Sequence, residues 1–191
     1  METKQKERPP VCYQHSEMGY NYRMSNIAAA IGRGQLQVLD KRVNAHRAVC
    51  ERYQEALGGI PGISFMPETS YGRCNRWLTV MALAPEACTV KPVQVIEALA
   101  AENIESRPVW KPMHLQPLFV GCKYFTHGDG ESIADRLFTD GVCLPSGSGM
   151  TDEEQQRVIE VVRGKVLRGR SQVVNKRQFP AKNFAGKFTP I

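Results

Sequence analysis

The sequence predicts an α+β domain in which helices cover one side of a small sheet. Three observations carry this. Long helical patterns alternate with short apolar runs of strand length. Gly58-Gly59, Pro61-Gly62 and Gly141 fall between them as stops and turns. Thr151 with Glu154 reads as a capping box opening one more helix, whose core side is Val158, Val161 and Val162.

The elements follow in order. Residues 27–36 carry three alanines and two isoleucines with little charge, behind Ser25 and Asn26, either of which can cap the helix. Such a helix is apolar nearly all round, which places it in a core or at an interface. Residues 40–57 form an amphipathic continuation, with Ala45, Val49, Tyr53 and Leu57 on one face. Gly58 and Gly59 stop it, and Pro61-Gly62 makes a turn. Together 27–57 would span about 45 Å, so a bend is expected near Gly32 and Gly34 or at Asp40. Strands are expected at 63–66 and 77–83, with Trp77 in the core. Residues 92–102 read as a helix with Val93, Ile96, Leu99 and Ala100 inward. Residues 104–110 read as extended, because Pro108 and Pro112 disfavour helix before them. A short helix at 132–140 ends at Gly141, and a strand follows at 142–144.

Composition narrows the class. At 191 residues and 42% hydrophobic, one domain is the default. No apolar run is long enough for a transmembrane helix or a signal peptide, so the expected compartment is the cytoplasm. The six cysteines (Cys12, Cys50, Cys74, Cys88, Cys122 and Cys143) form no Cys-x-x-Cys pair, and His15, His46, His114 and His127 complete no metal spacing with them. Reduced thiols are expected, with Cys50 and Cys143 buried. From Arg163 onward there are eight basic residues and no acidic one, which leaves the preceding 162 residues at −2 against a chain total of +6. The high isoelectric point therefore belongs to the end of the chain. Nucleic-acid contact through it is a minor alternative, since a basic block is more often a solvated tail.

The run Gly19-Tyr20-Asn21-Tyr22-Arg23-Met24-Ser25-Asn26 opens the apolar helix and carries the most chemistry. Free N–H groups at a helix N-terminus favour anions, and Asn21 and Arg23 add donors just ahead of it. On the residues alone this is an anion site and nothing narrower. Tyr20 and Tyr22 are expected to pack. Gly32 and Gly34 lie inside a helix and not between a strand and a helix, so a dinucleotide loop is excluded.

The run resembles the DegT/DnrJ/StrS family of sugar aminotransferases. Asn75-Arg76-Trp77-Leu78-Thr79, the segment from Ser106-Arg107-Pro108 through His114 to Pro117, Leu144-Pro145-Ser146-Gly147, and Thr151-Asp152-Glu153-Glu154-Gln155 match it in the right order. The wording is closest to the branch acting on UDP-linked 4-keto-6-deoxy amino sugars for surface polysaccharide. The resemblance implies the small C-terminal domain of a fold-type I aminotransferase, preceded by a long interdomain helix. It implies a site loop and linking helix at 13–57 and a small domain at 58–163. Outside the match lie a polar lead at 1–12 and a basic tail at 164–191, whose Gly164, Gly169, Pro180, Gly186 and Pro190 suggest disorder.

It also implies roles. Asn21 matches the residue that reaches a partner subunit's pyridoxal 5'-phosphate. Arg23 and His114 match positions that meet the nucleotide-sugar substrate. Arg107 either fixes its loop or meets a diphosphate, and Trp110 either stacks or packs. Family members are about twice as long, and the lysine that holds the cofactor belongs to an N-terminal domain not recognisable here. Lys4 and Lys6 sit in a polar run that does not look like that motif, so no catalytic residue is expected. The implied partners are a nucleotide sugar, an amino-acid donor, and a second copy or an N-terminal half. The alternative is a non-catalytic remnant that dimerises or binds sugar nucleotide.

Overall fold

A computed structural model describes residues 14, 16–21, 23–126 and 132–178. Cys12, His15, Tyr22, His127 and residues 179–191 lie outside them. Helix α1 (Asn26–Leu36) is capped by Ser25, whose side chain accepts from the Ala28 amide at 3.2 Å. Helix α2 (Leu39–Leu57) follows, and Gly58 ends it. The expected bend is a full interruption at Gln37 and Val38, between the two suggested places.

Strands β1 (Ile63–Phe65) and β2 (Thr79–Leu83) precede helix α3 (Pro92–Ala101). Strand β3 (Arg107–Pro108), two 3₁₀ turns, α4 (Ile133–Asp140), β4 (Gly141–Leu144) and α5 (Asp152–Gln178) complete the order. The sheet runs β1-β2-β4-β3 and is antiparallel throughout, with Thr79 opposite Leu144 and Arg107 opposite Cys143. Much of the expected extended stretch at 104–110 makes no ladder, since only Arg107 and Pro108 pair.

Alternation along the strands decides the layers. Thr79, Met81, Leu83, Val142 and Leu144 are buried, and the core continues into Val49, Tyr53 and Leu57 of α2, Val95 and Leu99 of α3, and Val158, Val162 and Val166 of α5. On the opposite face Ser64 is exposed and Val80 and Ala82 are half-buried beside α4. Cys50 and Cys143 are buried as expected, and so is Cys88. Burial pushes the Cys143 thiol up from its ordinary value, which keeps it neutral.

Three expectations need correction. Val93 and Ala100 are exposed, because the inward stripe of α3 is Val95, Ile96 and Leu99. Trp77 is 54% exposed and not core, because β2 begins two residues later. Residues 164–178 continue α5 as helix and are not a disordered tail. Gly164 and Gly169 weaken that helix by about 1 kcal/mol each. Docking offsets this: Val166 is buried, the Thr89 hydroxyl donates to the Gly169 carbonyl at 2.9 Å, and Gly169 packs directly on Val90.

Gly169→Ala therefore has an informative sign. In an undocked helix alanine stabilises by roughly 0.5–1 kcal/mol. Here its Cβ would fall 2.1 Å from Val90 Cγ2, so the substitution should destabilise by about 1–3 kcal/mol in urea unfolding. A stabilised variant would mean that α5 is undocked at this turn.

Candidate functional site

The chemistry-bearing residues fall into three places. The first is the arm before α1. Asn21 Oδ1 accepts the Arg23 amide at 2.9 Å, a local turn that holds Arg23 in the left-handed region at φ 69°. Asn21 and Arg23 are exposed, and the N-terminus of α1 follows two residues later with Ser25 satisfying one of its amides. The arm is thus a set of solvent-facing donors at the positive end of a helix. Helix α1 itself is open: Ile27 is 75% and Ile31 61% exposed. Of the two sequence expectations for this helix, burial in a core is not met among the described residues.

The second place surrounds His114, in the 3₁₀ turn Met113–Leu115. Its Nε2 lies 2.6 Å from Asp135 Oδ1 of α4, and neither atom has another partner among the described residues. The imidazole stacks on Tyr124 at 3.6 Å between centroids and 17° between planes. Tyr124 Oη and Ser132 Oγ share a hydrogen at 2.8 Å, and Ser132 also caps α4 by accepting the Asp135 amide. His114 is therefore a pin joining the 3₁₀ turn to α4. The link of His114 to Asp135 and Tyr124 carried no sequence signal, because those contacts span 21 and 10 positions and follow no motif.

The third place is a cleft of about 590 Å³ at the end of the sheet. Its rim carries Trp77 and Trp110, 5.9 Å apart and edge to face at 87°. Arg107 also lines it and is bound to Glu105 at 2.5 Å. Asn21, Arg23 and His114 do not line this cleft, and no hydrogen bond among the described residues joins His114 to the arm.

A charged clasp fixes the loop that presents Trp77. Arg47 of α2 grips both oxygens of Glu68 at 2.7 and 2.9 Å and donates to the Cys74 carbonyl at 2.6 Å. The Cys74 amide returns a bond to Glu68 at 2.6 Å, and Arg76 donates to the Met66 carbonyl at 2.8 Å. Arg47, with the Cys74 amide second, holds the Glu68 carboxyl at about 2, well below its ordinary 4.5. His46, given no role by the sequence, donates from Nδ1 to the Ser146 carbonyl at 2.7 Å and so ties α2 to the segment after β4.

Solved structures share this fold, among them the sugar aminotransferase CalS13 from Micromonospora echinospora, which aligns over 76% of this chain and 37% of its own with a TM-score of 0.60 at 19% identity. DesI, solved in the presence of its TDP-sugar product, aligns over 81% of this chain and 38% of its own, with a TM-score of 0.65 at 23% identity. The class is thus the aminotransferase fold. Residues 3–163 match the DegT/DnrJ/EryC1/StrS aminotransferase family, and the chain belongs to it. EpsN of Bacillus subtilis (strain 168), named as a pyridoxal phosphate-dependent aminotransferase, is 51% identical over 158 residues, which is 83% of this chain and 40% of EpsN. GDP-perosamine synthase of Caulobacter vibrioides is 36% identical over 143 residues, 74% of this chain and 37% of that enzyme. The chain spans about two fifths of the length of these relatives.

The clasp predicts a pH dependence. A carboxyl whose folded value is depressed stabilises fully above its unfolded value and loses that contribution as pH falls toward the folded one. Unfolding free energy should therefore decline between about pH 4.5 and pH 2. Glu68→Gln should lower stability at pH 7 and flatten that decline in denaturant titrations. An unchanged slope would show that the carboxyl is not held by Arg47.

Proposed function

We propose that this chain supplies the small-domain share of a composite active site. The reaction is pyridoxal 5'-phosphate-dependent transfer of an amino group from an amino acid to a nucleotide-linked keto-sugar, in polysaccharide or amino-sugar biosynthesis. One observation carries the reading beyond family membership: the donors of the arm and the apolar face of α1 both open outward. They suit a second body, either a cofactor-holding domain or another copy of the chain.

The residues fit part of the cofactor. Asn21 offers an amide N–H, Arg23 a planar guanidinium and α1 its N-terminus, all suited to a phosphate. Lys41, Lys91 and Lys123 are exposed, and Lys111 and Lys165 are half-buried. None offers the enclosed, desolvated amine that covalent attachment of the cofactor needs. When bound, pyridoxal phosphate carries the amino group and takes up the electron pair released at the reacting carbon.

This chain would hold the phosphate end from the arm, with Arg23 extending to the substrate. His114, with Nε2 committed to Asp135, would hold the 3₁₀ turn in place beside the substrate. The names of EpsN and GDP-perosamine synthase support the reaction class. Among the described residues no helix is long and apolar enough to cross a membrane.

Absorbance titration with pyridoxal phosphate and borohydride trapping test the reading. No adduct should form on this chain alone, and one should form on the added half when an N-terminal half from the family is supplied. Asn21→Ala should then weaken cofactor retention about tenfold, as expected for losing a hydrogen bond to a charged group. An adduct on the isolated chain would place a complete cofactor site here. No adduct in either case would favour a non-catalytic binding remnant.

A further inference from the structure

We propose that the corner formed by Trp77 and Trp110 seats a flat heteroaromatic ring, the base of a nucleoside diphosphate; this deepens the nucleotide-sugar reading and rests on it. The two indoles are 54% and 51% exposed, which leaves much of their apolar surface in water. Both are nonetheless held on stiff backbone. Ahead of Trp77, Asn75 Oδ1 accepts the Trp77 amide at 3.1 Å, Arg76 stands at φ 51°, and the Arg76 guanidinium is anchored on the Met66 carbonyl. Trp110 lies between Pro108 and Pro112, and just beyond it Gln116 donates to the Lys111 carbonyl at 3.3 Å while His114 meets Asp135. Exposed aromatic rings on a fixed backbone are pre-organised for a ligand.

The shape selects the ligand. Rings 5.9 Å apart at 87° make an inside corner, in which a flat ring can stack on one indole while the other closes its side. Ile104, Leu144, Met150 and Val158 give the cleft an apolar floor, and its volume lies in the range of small-molecule sites.

Most polar groups of the wall are already committed. Glu154 accepts the Thr151 amide, Arg157 donates to the Glu102 carbonyl, and Ser146 Oγ lies between the Thr79 amide and the Leu144 carbonyl. The exceptions are Asn103, which is exposed, and Ser106 Oγ, which is buried with no partner among the described residues. A bare sugar, which needs many hydroxyl partners, is poorly served by that wall. A base binds chiefly through its faces and needs few edge contacts, one of which a hydroxyl can meet as donor or acceptor.

The chain has two tryptophans, and both line this cleft, so intrinsic emission reports on it directly. The full chain would be titrated with UDP and with GDP, and ribose 5-phosphate would serve as the base-free probe, with excitation at the red edge where the bases do not absorb. Saturable quenching by one of the nucleotides and none by ribose 5-phosphate is expected. Trp110→Ala should weaken binding about tenfold or more, read from the remaining Trp77 emission, since base stacking on an aromatic side chain is worth that much. Trp77→Ala, read from Trp110, is the independent second variant, and thermal melts check that each variant folds.

No saturable quenching, an equal response to ribose 5-phosphate, or unchanged affinity in both folded variants would overturn the proposal. Cofactor trapping on the complemented enzyme separates the two readings. A trapped adduct without nucleotide quenching rejects the cleft and leaves transamination standing. Quenching that meets the criteria without an adduct supports the cleft and rejects the transamination reading.

Discussion

Everything around the cleft depends on a polar seam between α2, the segment after β4, and the start of α5. Tyr53 is fully buried, and its hydroxyl donates to the Pro145 carbonyl at 2.9 Å. Burial raises that phenol's pKa, so it stays a donor across the accessible pH range. Gln155, also buried, donates to the Val49 carbonyl at 2.7 Å and accepts from Arg52 at 2.5 Å, and Arg52 pairs with Asp152. An unpaired polar group in such a core costs about 1–3 kcal/mol. Register errors between α2 and α5 are therefore penalised more heavily than apolar packing alone would penalise them. His46 and Arg42 extend the seam to Ser146 and Ser148. The backbone that forms one wall of the cleft is in this way fixed by a helix more than ninety residues earlier in the sequence.

The same helix fixes the other wall. Arg47 lies one residue after His46, and its hold on Glu68 and the Cys74 carbonyl determines where the β1–β2 connection runs. The Arg47–Glu68 pair is only partly exposed, with both carboxylate oxygens engaged, so it avoids much of the screening that makes exposed ion pairs weak. One face of α2 is thus a core stripe, and the flanking positions are anchors for loops that carry no regular structure of their own. A loop without a ladder needs such anchors if it is to present a large ring reproducibly.

Much of this fold could be read from the sequence because it is local. The caps at Ser25 and Thr151, the stop at Gly58, and the stripe Val49, Tyr53, Leu57 obey spacing rules that one chain displays by itself. Trp77 was misread because an apolar run predicts a strand but not the residue at which pairing starts, and the ladder begins at Thr79. The face of α3 was misread by one position for a related reason. Val93, Val95, Ile96, Leu99 and Ala100 allow more than one apolar stripe, and packing against α5 and the sheet selects Val95 and Leu99. The end of α5 was misread from its glycines, whose cost is visible in sequence while the Val90 contact that offsets it is not. His114 drew attention in the sequence as a substrate-binding residue, whereas the contact the structure shows is with Asp135, which lies 21 positions away with no pattern to announce it.

Helix α1 stands apart from these rules. Its sequence is that of a buried helix, its cap is well formed, and yet Ile27, Ile31 and Leu36 face water. Poor helix-forming chemistry does not explain this, because alanine-rich turns with a serine cap form readily. Among the described residues nothing in the chain is shaped to cover that face. An apolar stripe of this kind adds hydrophobic stabilisation only when another surface covers it. The arm with Asn21 and Arg23 is attached to the N-terminal end of that same stripe. On the function proposed above, covering α1 would bring the donors of the arm onto a partner surface in one step, coupling assembly to completion of the proposed anion site.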